Sequence, residues 1–197
     1  MPKGIPLTPE ELDRRRHQVF FASMHLFLEK GFQETSMQEI AAASDMGKST
    51  LYDYFKTKDE ILLSVVEDGL YDLTELAKKI ASQDLPAAEK IHQVMFAHLE
   101  YLLENKEFYN RMMYEVQRLG QESQRRIQIR RHAYQDMLCR LVEDATREGT
   151  FRAVNPLLAA RTIMSLLTPA VFTSRPTGTP KQMMEEAIEI FIRGVRA

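Results

Sequence analysis

The sequence predicts an all-α protein of about nine helices, with a small N-terminal domain followed by a larger one. Three observations carry this prediction. Helix-capping boxes recur along the chain, and apolar residues repeat at i, i+3 and i+4. No segment alternates apolar and polar residues between turn residues, as a half-buried strand would. The 197 residues are enough for one or two small domains with a core.

The N-terminal part begins with one long and two short helices. The first helix starts at the capping box Thr8–Glu11 and ends at Gly31. A second box, Ser36–Glu39, opens a helix to about residue 43, and another short helix is expected near 47–54.

The C-terminal part reads as six further helices, and Pro169 should end or kink the fifth of these because proline cannot continue the backbone hydrogen bonding. Their expected ranges are about 58–80, 86–103, 106–119, 122–148, 155–172 and 179–196.

Composition narrows the class of protein. Hydrophobic residues make up 44% and charged residues 27%, as in ordinary globular proteins. The formal net charge of −2 argues neither for nor against a nucleic-acid partner. Cys139 is the one cysteine, so no intrachain disulfide forms and a buried apolar role is expected. The start of the chain lacks the apolar stretch of a signal peptide, and no apolar run spans a membrane, so a cytoplasmic location without a membrane partner is expected.

The two short helices are separated by only Ser44, Asp45 and Met46, the length of a helix-turn-helix turn. Asp45 is one of the few residue types other than glycine that accept the left-handed conformation this turn needs. The side chains expected to point inward are Met37, Ile40, Ala41, Met46, Leu51 and Phe55.

With Leu51 inward, the other face of the second short helix carries hydrogen-bond donors for phosphates and base edges. Lys48, Ser49, Thr50 and Tyr52 lie there, together with the acidic Asp53. Residues 1–58 hold eight basic and eight acidic residues, so there is no overall basic footprint. From the residues alone, a DNA-binding helix-turn-helix and a solvated helix pair both remain open.

Two other functions are open. Glu89 and His92 form an E-x-x-H, the spacing of helical di-iron sites, but such a site needs a second copy, which the sequence lacks. No metal or cofactor is therefore expected, and no enzyme. A helical module that binds protein instead of DNA is the remaining alternative.

Leu28–Leu62, LEKGFQETSMQEIAAASDMGKSTLYDYFKTKDEIL, closely resembles the N-terminal domain of TetR/AcrR transcriptional regulators. The matching positions are Gly31-Phe32, Thr35-Ser36, Ile40-Ala41, Ser49-Thr50-Leu51-Tyr52, Tyr54-Phe55 and Lys58. Three positions depart from the family pattern: Asp45 replaces a usual glycine, Gly47 a capping serine, and Ser49 a frequent glycine.

The resemblance implies a homodimeric regulator, usually a repressor, that leaves a pseudo-palindromic operator in double-stranded DNA when a small apolar or amphipathic effector binds. Residues 1–58 would form the DNA-binding domain, and residues 59–197 the effector-binding and dimerisation domain. The implied DNA contacts are Thr35, Ser36, Lys48, Ser49, Thr50, Tyr52, Tyr54 and Lys58.

The resemblance also implies a set of effector contacts and a set of dimer contacts. For each effector contact, ordinary core packing is the alternative. The implied effector contacts are Met95, His98, Leu99, Tyr101, Leu102, Phe108, Met112, Met113, Tyr134, Met137 and Leu138. The implied dimer contacts are Leu158, Ile163, Leu166, Leu167, Met184, Ile188, Phe191 and Val195.

Overall fold

The computed structural model describes residues 8–197, without the side chains of residues 9, 10, 12 and 13. These residues form ten helical segments and no strand, which confirms the all-α class. The start of the chain, where a signal peptide was not expected, lies outside the described residues. The helices are α1 (Pro9–Lys30), α2 (Met37–Ala43), α3 (Lys48–Tyr54), α4 (Lys58–Ala81), α5 (Ala87–Glu104), α6 (Lys106–Arg118), α7 (Gln121–Arg147), α8 (Pro156–Ser165), α9 (Leu167–Phe172) and α10 (Pro180–Val195).

Capping side chains fix the helix starts that the sequence predicted. Thr8, Ser36 and Thr179 each accept a hydrogen bond from the third backbone N–H of the helix that follows, in α1, α2 and α10. In each case the side-chain oxygen of a Glu or Gln at that third position accepts a hydrogen bond from the capping residue's N–H, which completes the box. Gly31 ends α1 with a φ of 92°, a conformation open to glycine.

The predicted helix over residues 155–172 is broken at Leu166 into α8 and α9. Pro169 explains the position of the break. Proline has no N–H, and its ring collides with the carbonyl four residues earlier, which here belongs to Ser165. The helix therefore stops at Ser165 and restarts at Leu167.

The chain divides into two compact units. The first contains Met1–Glu67 together with Glu107–Gln124, and the second contains Asp68–Lys106 and Arg125–Ala197. The first unit therefore continues along α4 to Glu67 and takes in nearly all of α6, whose residues the sequence had grouped with the C-terminal domain.

The first unit holds the two short helices against α1. α1 packs on α2, and α2 packs on α3. Ile40, Ala41, Leu51 and Phe55 are buried as predicted, whereas Met37 and Met46 are half-buried. Asp45 lies in the turn with a φ of 52°, which confirms the predicted left-handed residue.

The second unit has its core between α5, α9 and α10, with α8 packed on α9. A polar pair lies in the interior of this unit: the Tyr134 hydroxyl is 3.0 Å from Nδ1 of His98, and the two rings meet edge to face. Burial raises the pKa of Tyr134 above its usual value and lowers the pKa of His98 to about 4. Both groups are therefore neutral at pH 7. Within the described residues, no helix is both long and apolar enough for a bilayer span.

The lowered pKa of His98 predicts a loss of stability in acid. An unfolded histidine has a pKa of about 6.5, so between that value and about 4 the unfolded chain binds a proton that the folded chain does not. The free energy of unfolding should fall through this window as pH decreases, by up to about 3 kcal/mol from this residue. Urea denaturation at several pH values measures the fall, which His98→Leu should reduce. His92→Leu, on the same helix but half-exposed, is the matched control. Equal slopes for wild type and His98→Leu would contradict the prediction.

Candidate functional site

The surface of α3 combines one buried anchor with a row of polar side chains. Leu51 is fully buried, and this fixes the rotation of the helix. Lys48 and Ser49 are exposed, and Thr50, Tyr52 and Tyr54 are half-buried. Asp53 is also exposed, so the face is mixed in charge. Lys56 reaches back and donates to the Tyr52 carbonyl oxygen, which places a cation at the C-terminal end of α3.

The N-terminus of α2 is already occupied by a carboxylate. Glu39 Oε2 accepts from the Ser36 N–H and from the Ser36 hydroxyl, each at 2.8 Å. Lys30 donates to the other oxygen of Glu39 at 2.6 Å. That hydrogen bond and those from Ser36 hold the pKa of Glu39 at about 2. Ser36 is exposed, but its backbone N–H and its hydroxyl both donate to Glu39.

Thr35 is not available for DNA contact through its side chain, which corrects the expectation from the sequence. The residue is 1% exposed. Its hydroxyl donates to the Gly31 carbonyl oxygen at 2.8 Å and lies 3.4 Å from that of Leu26. Thr35 therefore fastens the α1–α2 loop to the end of α1. The sequence showed the motif in which Thr35 occurs but not the direction of its side chain.

Lys58 has a structural role beside any DNA contact. Its Nζ donates to the carbonyl oxygens of Phe32 at 2.7 Å and Gln33 at 3.0 Å, and it lies 4.9 Å from the centre of the Phe32 ring. The first residue of α4 thus holds the loop that precedes α2. A lysine ammonium has three donors, so one remains for a phosphate.

The sequence did not predict that α6, in the same unit, contacts both this loop and the end of α1. Gln33 donates to Glu115 Oε2 at 2.7 Å, and Arg111 donates to the Leu28 carbonyl oxygen. Arg111, Met112 and Glu115 line an open cleft of about 380 Å³ with residues 31–34. The partners are 82 and 83 positions apart in the chain, so no local pattern could have revealed them.

The implied effector contacts fall into two groups. Those on α5 and α7 belong to the second unit: Met95, His98, Leu99, Tyr101, Leu102, Tyr134, Met137 and Leu138. Phe108, Met112 and Met113 lie on α6 and belong to the first unit.

Two members of this set differ from the expectation of an enclosed apolar lining. Met113 is 43% exposed and so lies on the solvent side of α6. Tyr101 is half-buried against α4, because Gly69 has no side chain there and a β-carbon would overlap the Tyr101 hydroxyl oxygen.

Most of the implied dimer contacts face the interior of their own protomer. Ile163, Leu167, Met184, Ile188 and Val195 are all at most 8% exposed. Their apolar stripe fills the protomer's core and is not free to bind a second chain. Leu158 is 66% exposed, and Leu166 and Phe191 are half-buried.

A different apolar face of α8–α10 is exposed. Ile190 is 67% exposed and lines an open groove of about 180 Å³ with Leu166, Pro169, Met183 and Ala187. On α10 this face is offset by one residue from the predicted stripe. The signal was present in the sequence, because the apolar residues of α10 cover one arc of roughly 200° at ~100° per residue, which is wider than a stripe that only faces a core.

The E-x-x-H residues do not act together. Glu89 accepts from Gln93 at 3.4 Å, whereas His92 stacks on Phe96 and lies 3.3 Å from Glu185. Among the described residues, no three or more His, Cys, Asp or Glu side chains are grouped as a metal site would require.

Comparisons with known proteins identify the family. The model for bacterial regulatory proteins of the tetR family matches residues 21–65. The model for a tetracyclin repressor-like C-terminal domain matches residues 84–195, more than half of the chain.

Individual relatives agree with these models. The HTH-type transcriptional regulator YhgD of Bacillus subtilis is 23% identical over 90% of this chain and 94% of its own. The structure of transcriptional regulator FadR from Bacillus subtilis with stearoyl-CoA has a TM-score of 0.77 at 19% identity, covering 91% of this chain and 99% of its own. AibR with isovaleryl coenzyme A and operator DNA has a TM-score of 0.69 at 24% identity, covering 89% and 97%. These two structures are similar to this chain in fold. The two family matches, and the helix-turn-helix with its polar α3 face, place the chain in the TetR family of DNA-binding transcriptional regulators.

Proposed function

We propose that the chain is a cytoplasmic homodimeric repressor that leaves a pseudo-palindromic operator when an amphipathic effector binds. Residues 1–58 form the DNA-binding domain in this proposal, and residues 59–197 bind the effector and dimerise. The observation that carries it is the surface of α3, where buried Leu51 turns Lys48, Ser49 and Tyr52 away from the core.

In the proposed complex, α3 enters the major groove. Ser49 and Thr50, near the start of α3, are suited to base edges, and Lys48, Tyr52 and Tyr54 to phosphates or bases. Ser36 and Lys58 flank this surface as phosphate contacts. When a phosphate approaches Ser36, it takes the place of the Glu39 carboxylate at the start of α2, where the helix dipole favours an anion.

The dimer forms through the exposed face of α8–α10 in this proposal. Leu158, Leu166 and Ile190 supply the apolar area, and the buried stripe of Met184 and Ile188 supports them from the core. Two copies of one self-complementary face give the twofold symmetry that a pseudo-palindrome requires.

The effector is proposed to be amphipathic, and acyl-coenzyme A thioesters are the class to test first. FadR and AibR, similar in fold, have been crystallised with such thioesters. The methionine and aromatic side chains of α5 and α7, in the second unit, suit an acyl chain because they adapt to its shape.

α6 provides a direct route from effector to DNA. It carries the candidate contacts Phe108 and Met112, and it also contacts the α1–α2 loop through Glu115 and the end of α1 through Arg111. An effector that prefers a shifted α6 would therefore alter the hold on α2. The coupling needed to weaken operator binding is typically about 1–3 kcal/mol.

Lys48→Ala should weaken operator binding and flatten its dependence on salt. A lysine that neutralises one phosphate contributes about one to the slope of log affinity against log salt concentration, in each protomer. Fluorescence anisotropy at several salt concentrations measures both. Lys181→Ala, an exposed lysine of α10, is the matched control and should bind as wild type. An unchanged slope for Lys48→Ala would exclude its phosphate role.

Ile190→Arg should convert the dimer into monomers, because a charge would be buried in the apolar face. Sedimentation velocity gives the oligomeric state, and circular dichroism confirms that the variant is folded. Ile129→Arg is the matched control, since Ile129 is 58% exposed on α7. A persistent dimer of Ile190→Arg would place the interface elsewhere.

The response to effector is tested by titrating acyl-coenzyme A thioesters, from isovaleryl to stearoyl, into the complex of protein and labelled operator. Release of DNA at micromolar thioester is expected. A complex that none of these thioesters dissociates would reject this effector class while leaving the DNA-binding assignment intact.

A further inference from the structure

α4 is a helix that belongs to both compact units. Its residues up to Glu67 lie in the first unit and those from Asp68 in the second, and the helix continues through this boundary without a break. Ile61 is buried on the first side of the boundary, and Leu73 is buried on the second. A displacement of α4 in the second unit is therefore carried along one helix into the unit that contains α1, α2 and α3.

A glycine lies just past this boundary, inside the helix. Gly69 falls near the middle of the 24 residues of α4, and Leu73, one turn further on the same side, is buried. Glycine destabilises a helix interior relative to alanine, because it has more backbone freedom to lose on folding. A glycine at this position is explained if another group needs the space that a side chain would fill.

The Tyr101 side chain of α5 fills that space. A β-carbon on Gly69 would lie 2.2 Å from the Tyr101 hydroxyl oxygen, which is far inside van der Waals contact. The same β-carbon would lie 3.5 Å from the ring carbon Cζ, which is an ordinary contact distance. The hydroxyl oxygen alone therefore excludes a side chain at residue 69 while the ring keeps its place. We name this packing the Gly69–Tyr101 contact, and both residues belong to the second unit.

Tyr101 also lies next to the polar pair among the proposed effector contacts. His98 precedes it by three positions on α5, and the Tyr134 hydroxyl of α7 is 3.0 Å from His98 Nδ1. Side chains three positions apart lie on the same side of a helix. Tyr101 therefore connects the effector contacts of α5 with α4.

We propose that the Gly69–Tyr101 contact transmits effector binding from α5 to α4 and so controls operator affinity. This inference rests on the proposed function and makes Gly69 and Tyr101 positioning residues for it. With the hydroxyl packed against Gly69, α4 has the direction that lets both α3 helices of the dimer enter their half-sites. An effector that moves the Tyr101 ring toward α4 pushes the helix at Gly69, and α3 no longer fits its half-site.

The first test needs no effector. Gly69→Ala should bind operator at least about fivefold more weakly, because the new β-carbon and the Tyr101 hydroxyl cannot both keep their places. The double variant Gly69→Ala/Tyr101→Phe should regain the affinity of Tyr101→Phe, since only the hydroxyl overlaps the β-carbon. Gly194→Ala is the matched control, because a β-carbon there meets nothing within 4 Å and the residue is also helical. Fluorescence anisotropy measures affinity, and circular dichroism with sedimentation velocity shows that each variant is a folded dimer.

The second test measures the response to effector. Operator affinity is determined with and without saturating isovaleryl- or stearoyl-coenzyme A, and the ratio of the two affinities is compared between wild type and Tyr101→Phe. The ratio should be at least about fivefold smaller in Tyr101→Phe, because the atom that presses on Gly69 is gone. A contact that only stabilised the fold would leave this ratio unchanged.

Wild-type operator affinity in Gly69→Ala would overturn the proposal. An equal loss in Gly69→Ala and in the double variant would do the same, since the hydroxyl would then not be the cause. So would a loss of operator affinity explained by a loss of the dimer, or an unchanged response in Tyr101→Phe. Each of these results leaves the operator-binding repressor standing. A wild type that binds no operator would instead refute the proposed function itself, and this inference with it.

Discussion

The DNA-facing surface depends on a turn of three residues that contains one left-handed residue. Asp45 takes a φ of 52° between α2 and α3. This conformation costs most residues about 1–2 kcal/mol, whereas Asp tolerates it better. Burial of Ile40 on one side of the turn and Leu51 on the other sets the rotation of both helices. Because Leu51 is fixed inward, Lys48, Ser49 and Tyr52 are turned outward.

The start of α2 is held by polar contacts from distant parts of the chain. Thr35 fastens the preceding loop to α1, Lys58 binds its carbonyl oxygens, and Gln33 pairs with Glu115 of α6. These hydrogen bonds are individually modest, at roughly 0.5–1.5 kcal/mol net. A set of modest contacts suits a switch, because an effector with a few kcal/mol of preference can rearrange it. Their presence in one compact unit explains why α6 groups with the helix-turn-helix.

Local chemistry made most of the fold predictable from the sequence. Capping boxes gave the helix starts, Gly31 an end, and Asp45 the turn, because each acts through neighbours a few residues away. The sequence was a poorer guide to which side of a helix faces the core and to which distant residues form hydrogen bonds. The apolar residues of α10 form one wide arc, and periodicity could not tell which part of it meets the core. Met184 and Ile188, predicted at the interface, lie in the core of their own protomer. The inward hydroxyl of Thr35 and the bond from Gln33 to Glu115 depend on tertiary packing. The effector contacts and the interface stay predictions.

The central claim is that α3 reads a specific DNA sequence as part of a symmetric dimer. The most direct measurement is selection of bound fragments from a random DNA pool by the purified protein at two salt concentrations. The account predicts an enriched inverted repeat with half-sites about one helical turn apart, or a multiple of it, and weaker binding at higher salt. No enriched sequence, from protein shown to be folded, dimeric and free of bound effector, would contradict the account.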